Sequence, residues 1–355
     1  MRLFLTFLLI SISLISPVRA ETIRVYNWAE YIDLDLIAEF TELTGIEVIY
    51  ETYNDSEIVE TMLVAGNSGF DVVIVSSEYL ERLKDADVLM EIDHSRLTTF
   101  DSLWSDVMEL AGEIDPGSHY SIPYLWGSTG LGFDEPKIRE IMPDAPLDSW
   151  AMLFDPAIVS QFTGCGVALT DAIEELMSIA LAYLGHDPNS HDPEQIEQAQ
   201  TLIRNIMPYV TEVGTEQYDI MAKGEACLAM VWSGDSQLAT EDAIDGVNLS
   251  YTVPKEGAPL WFDLMVIPSS TEHKNAAHVF IDFIQRPENI ARISNYAYYP
   301  NANAASLAFV DEEIKSNPTV FPTEETKALL YPVHSRPALE KRAISRVWRR
   351  MQLTF

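Results

Sequence analysis

The sequence predicts an α/β protein built as two lobes. Three observations predict it: a length beyond what one hydrophobic core usually serves, a strand-helix-strand-helix-strand rhythm at the start, and an extended, glycine-broken stretch leading into a second α/β set. Of 355 residues, the first twenty, MRLFLTFLLISISLISPVRA, carry one early cation at Arg2, an apolar run from Leu3 to Ile15, and small residues at Val18 and Ala20. That pattern is a secretory signal peptide rather than an anchor. The remaining 335 residues, 47% hydrophobic over the whole chain, suffice for two cores.

TIRVYNW reads as a first strand, followed by Asp33 as a helix cap and apolar residues at Leu36, Ile37, Phe40 and Leu43 up to Gly45. IEVIYETY gives a second strand, SEIVETMLVAG a second helix capped by Ser56, and FDVVIVSS a third strand rich in β-branched residues. This order implies a mainly parallel sheet, whose ligands bind outside the carboxyl ends of the strands. YSIPYLWGSTGLGFD is extended and interrupted by Gly127, Gly130 and Gly132, as a crossover into a second lobe. Helices are expected near Ala172–Gly185 and Pro193–Met207, and a return near NLSYTVPKEGAP. WFDLMVIP then reads as a strand, NAAHVFIDFIQ as a helix, and LEKRAISRVWRRM as a basic helical tail. The expected division is 1–20 signal peptide, 21–125 with 255–302 as lobe 1, and 126–254 with 303–355 as lobe 2.

A formal charge of -33 argues against nucleic acid or an anionic membrane as partner and attracts cations at long range. No other stretch reaches the roughly 20 apolar residues needed to span a bilayer. Cys165 and Cys227, both in apolar contexts of an exported chain, suggest one disulfide. No G-x-S-x-G elbow, phosphate loop or H-E-x-x-H motif occurs, and His186 and His191 read as turn and helix-start residues, so neither a catalytic set nor a metal or other cofactor is indicated.

Aromatics recur beside carboxylates instead. Trp28 and Tyr31 flank Glu30, Trp232 precedes Asp235, and Trp261 precedes Asp263 on what alternation makes one strand face. Single pairs of this kind commonly serve a core or a turn; three at loop mouths suit a ligand apolar along its length and cationic at its ends. Carboxylates compensate a buried ammonium and aromatic faces cover methylenes, which describes an aliphatic polyamine. Ser76 and Glu78 follow the third strand, at the same mouth as Trp28 and Tyr31.

VYNWAEYI, GFDVVIVSS, HYSIPYLWGSTGLGF, DSW, CGVALTDAIEE, VWSGD, VPKEGAPLWFD and YYPNAN, in order and spacing, resemble the periplasmic polyamine-binding proteins of ABC importers, most closely the putrescine branch. The resemblance implies a two-lobed solute-binding fold with a hinge and an inter-lobe cleft, a periplasmic location, and delivery of putrescine or spermidine to a membrane permease by a monomer without catalysis. Position by position, it implies that Trp28 and Tyr31 pack on the ligand chain and that Ser76 makes a polar contact. Glu175 then binds an amine, Trp232 with Asp235 and Trp261 with Asp263 form stacking and acceptor pairs, and Tyr299 is a further pocket aromatic. Ala29 lacks the putrescine-branch hydroxyl, Glu30 and Trp261 look like the spermidine branch, Ala172 keeps a putrescine-like small residue, and Glu78 replaces the serine or tyrosine of either branch. An extended backbone would aim Glu78 at the cleft with Ser76, as acceptor for a third ammonium. Two competing functions use the same residues: a sensory module docking on a membrane receptor, and a glycoside hydrolase employing two of Glu175, Asp235 and Asp263.

Overall fold

The computed structural model describes residues 21–54 and 56–352; the expected signal peptide lies outside the described residues. Ten described strands form one sheet: β1 Thr22–Trp28, β2 Glu47–Tyr53, β3 Val72–Ser76, β4 Ser121–Asp134, β5 Val167–Thr170, β6 Glu212–Gly214, β7 Leu228–Trp232, β8 Leu249–Thr252, β9 Ala258–Val266 and β10 Leu330–Pro332. Their order is β2-β1-β3-β9-β4-β7-β5-β6, with β8 beside β4 and β10 beside β9. The parallel pairing expected from the sequence holds on both flanks, where β1 lies between β2 and β3, and β5 between β6 and β7. The middle is antiparallel, because β9 returns from the second half and runs against both β3 and β4.

β4 is the element that joins the halves. Its residues Ser121–Ser128 pair with β9, and Thr129–Phe133 pair with β7. All fourteen of its residues are buried, so the glycines expected to break a crossover lie within one continuous strand. Each half has its own interior. Ile23, Val25, Leu36, Phe40, Ile74 and Phe280 fill one face of the first, and Val73, Leu80, Phe262 and Leu264 the other. Trp150, Phe154, Leu176, Ile203, Met230 and Trp348 fill the second.

Local signals act as the residues dictate. The helix Asp35–Thr44 stops at Gly45, whose φ of +73° is cheap only without a Cβ. Asp33 accepts from the Asp35 amide at 3.0 Å, while the helix is flanked by Leu34. Ser56 is the first helical residue of Ser56–Val64 rather than its cap. The expected helices appear as Ile173–Tyr183, Pro193–Ile206, Lys274–Ile284 and Ala338–Gln352. Cys165 and Cys227 are joined in a disulfide across 62 residues, beside the start of β7. Residues 304–321, grouped with lobe 2 in the sequence reading, carry Val310, Ile314 and Val320 onto Ala291 of the helix Pro287–Ala297.

Candidate functional site

Asp263 sits in the middle of β9, in register with Ser76 on one side and Leu125 on the other. One carboxylate oxygen accepts from Trp28 Nε1 at 3.1 Å and Ser76 Oγ at 3.1 Å; the other accepts from the Tyr31 hydroxyl at 2.8 Å. Trp28 and Ser76 are there because β1 and β3 end side by side, at the carboxyl edge where the sequence placed the mouth. Tyr31 is held by its own carbonyl, which accepts from Tyr124 Oη at 2.6 Å. Burial pushes the Asp263 carboxyl up to about 6, and its three hydrogen bonds pull the other way.

Asp235 comes from the other half, in the first turn of the helix Ser233–Glu241 that follows β7. Its carboxylate accepts from the Tyr299 hydroxyl at 2.8 Å, and its amide donates back to that oxygen at 3.2 Å. Tyr299 belongs to the interior of the first half, so this pair spans the cleft. The Tyr299 ring lies 5.1 Å from Trp261 and 5.7 Å from Tyr31, centroid to centroid. Two glycines make room: a Cβ at Gly234 would fall 2.4 Å from the Tyr299 ring, and one at Gly127 would fall 2.5 Å from the Trp261 indole. The Gly of VWSGD thus serves close ring approach, and its Asp a helix start rather than a turn. Desolvation raises the Asp235 carboxyl to about 6.

The third carboxylate is Glu175, in the first turn of Ile173–Tyr183 after β5. Trp232 Nε1 points at its two oxygens from 3.3 and 3.4 Å, and Thr129 of β4 donates a short hydrogen bond. Burial first, then the charges of Asp263 and Glu174, lift Glu175 to about 7. Among the described residues, the donors to Asp263, Asp235 and Glu175 are indoles, phenols and hydroxyls, and none of the three carboxylates forms an ion pair.

The expected aromatic-carboxylate pairs are regrouped. Trp28 serves Asp263 instead of Glu30, Trp232 serves Glu175 instead of Asp235, and Trp261 reaches Asp235 only through Tyr299. Glu30 is exposed, in the left-handed region at φ +53°, and its charge is felt by Tyr218 of the opposite half. Glu78 does not continue β3: the helix Ser77–Asp85 begins directly after Ser76 and places Glu78 in its first turn. From there it faces Glu174 and Glu175, and burial and those two charges hold its carboxyl well above the usual range. Thr129 and Tyr124 were not singled out from the sequence, although both lie in the quoted stretch HYSIPYLWGSTGLGF. Five positions apart in a strand with a register shift near Pro123, they share no face by simple alternation, so the local pattern carries no signal that pairs them. Among the described residues no His, Cys, Asp and Glu group has metal-site geometry, and no helix is long and apolar enough to cross a membrane.

Residues 35–323 match the family of bacterial extracellular solute-binding proteins. The chain belongs to that family. Similar proteins include the putrescine-binding periplasmic protein SpuD of Pseudomonas aeruginosa, 36% identical over 94% of this chain and 92% of its own length. The putrescine-binding periplasmic protein PotF of Escherichia coli is 33% identical over 94% and 91%. Among solved structures, the spermidine/putrescine substrate-binding protein PotD of Streptococcus pneumoniae superposes with a TM-score of 0.78 at 29% identity, covering 94% of this chain and 99% of that one. The two-lobed α/β fold is therefore that of a solute-binding protein.

Proposed function

We propose that this protein is the extracytoplasmic receptor of an ABC importer, exported to the periplasm by residues 1–20, and that it binds an aliphatic diamine or polyamine between its lobes for delivery to a membrane permease. It acts as a monomer and performs no chemistry. One observation carries this: three carboxylates among aromatic rings, Asp263 and Glu175 buried and Asp235 half-buried, lack any cation among the described residues. A buried carboxylate without a counter-ion is costly, and an ammonium supplies the missing charge with hydrogen bonds. Asp263, with Trp28, Tyr31 and Ser76 around it, takes one ammonium; Asp235 and Glu175, across the cleft, are the acceptors for the other. The indoles of Trp28, Trp232 and Trp261 and the rings of Tyr31 and Tyr299 cover the methylenes. The relatives named for putrescine and spermidine support the same ligand class.

Calorimetry and tryptophan fluorescence on ligand-stripped protein, against putrescine, cadaverine, spermidine and spermine, test it. One site per chain is expected. No heat and no fluorescence change with any of the four amines would sink the proposal.

A further inference from the structure

A second cluster of charges lies beyond Glu175, and here the protein does supply cations. Lys341, on the helix Ala338–Gln352, sets its ammonium 3.1 Å from Glu60, 3.7 Å from Glu174 and 3.9 Å from Glu57, and 4.4 Å above the centroid of the Tyr79 ring. Arg82 lies beside it, 2.5 Å from Glu60 and 3.8 Å from Glu174, its guanidinium 4.9 Å from the same ring. The side chains of Lys341 and Arg82 are each 12% exposed and that of Glu174 is 4% exposed. Among the described residues the Glu174 oxygens accept no hydrogen bond, so nearby cations, Arg82 and Lys341 first and Arg336 after them, compensate its burial. An ammonium held by carboxylates and an aromatic face is the chemistry proposed for the ligand, performed here by a lysine.

The cluster continues the ligand cleft. Glu174 and Glu175 are consecutive in one helical turn, and Glu78 is influenced by both of them and by Lys341 and Arg82. The two cations are drawn to Glu60 and Glu174, with Glu57 at the half-exposed rim, and burial with the charges of Glu174 and Glu175 presses Glu78 toward its neutral form. A ligand ammonium arriving there would meet two like charges at close range, already held by Glu60, Glu174 and the half-exposed Glu57. Lys341 cannot easily withdraw, because Ile344, Trp348 and Met351 of its helix are packed into the second interior.

We propose that Lys341 is a built-in counter-ion that closes the Glu174 end of the cleft to a third ammonium and so selects two-charge diamines over triamines. This rests on the polyamine reading above. It reverses the sequence-based expectation that Glu78 favours spermidine, because that expectation counted the carboxylate without the cations packed against it.

The test is the ratio of putrescine to spermidine affinity, measured by calorimetry in wild type, Lys341→Met and Lys341→Arg. Methionine keeps an apolar stem along Tyr79 and removes the charge. Wild type and Lys341→Arg should favour putrescine at least about tenfold, and Lys341→Met should raise spermidine affinity relative to putrescine by about tenfold, one decade being about 1.4 kcal/mol. A ratio in Lys341→Met within twofold of wild type, or a wild type that prefers spermidine, overturns the inference while amine binding itself stands. Absence of binding by wild type to every amine would instead remove the polyamine reading. Should Lys341→Met fail to fold, Arg82→Gln withdraws the second cation from Glu174 and must shift the ratio the same way for the inference to survive.

Discussion

At the scale of single residues, the site is defined by what its carboxylates lack. Asp235→Ala and Asp263→Ala are each expected to weaken amine binding by about 2 to 5 kcal/mol, the range for truncating one partner of a buried hydrogen-bonded charge pair, with circular dichroism unchanged. The pH dependence follows from the raised pKa values. With Glu175 near 7 and Asp235 and Asp263 near 6 in the free protein, part of the site is protonated at neutral pH. An ammonium favours the ionised forms, so binding expels protons, and affinity should fall as pH drops from about 7 to 5. Calorimetry in buffers of different ionisation heat measures that release; a heat independent of buffer at pH 6.5 contradicts it. In the ligand-free protein the sign reverses. A carboxyl whose folded pKa exceeds its unfolded value holds more protons when folded, so its contribution to stability declines as pH rises from about 4 toward 7. Asp263→Asn should therefore raise the melting temperature of the free protein at pH 8, reflecting a stabilisation on the order of 3 kcal/mol, since the shift is about two pKa units of about 1.4 kcal/mol each. The identities of these residues were legible in the sequence, but their partnerships were not. Trp28 and Asp263 are 235 positions apart and meet only because β9 inserts beside β3, which no local spacing announces.

At the scale of elements, periodicity made β1 and the amphipathic helices readable, because each shows one buried face, whereas β3 and β9, buried on both faces, were readable as short apolar runs. β4 is extended and crosses between the halves as its sequence suggests, but its glycines do not interrupt it, although glycine usually punctuates strands. Its glycines answer to what lies opposite, Trp261 at Gly127, Tyr251 at Gly130 and Met221 at Gly132, just as Gly234 in the helix after β7 answers to Tyr299. Gly234→Ala should displace the Tyr299 ring, break its bond to Asp235 and weaken binding by about 1 to 3 kcal/mol, the usual cost of overpacking. Titration by tryptophan fluorescence reads this, and wild-type affinity would show that the ring has room to move. The disulfide lies outside the carboxylate cluster, at the entry to β7. The double variant Cys165→Ser, Cys227→Ser should lose roughly 2 to 4 kcal/mol of stability with unchanged ligand preference. Chemical denaturation and calorimetry on the same sample separate the two effects.

At the scale of the whole molecule, the halves are joined through β4 and β9, and the cleft is spanned by the Tyr299–Asp235 bond. A ligand held from both sides adds contacts that exist only when the lobes are together, so binding should lower the radius of gyration in solution scattering. Scattering curves that superpose with and without saturating ligand would show that closure does not accompany binding. The fold class was legible because two α/β sets and a crossing are long-wavelength features of a chain. The antiparallel centre was not, since it depends on where one late strand inserts. That insertion has a temporal consequence. β3 cannot acquire its neighbour β9 until residues 258–266 have been made, and the carboxylate that organises the site arrives with that strand. Until then the first half is an unfinished sheet with an open edge at β3, and that edge is covered only when nearly three quarters of the polypeptide has been made.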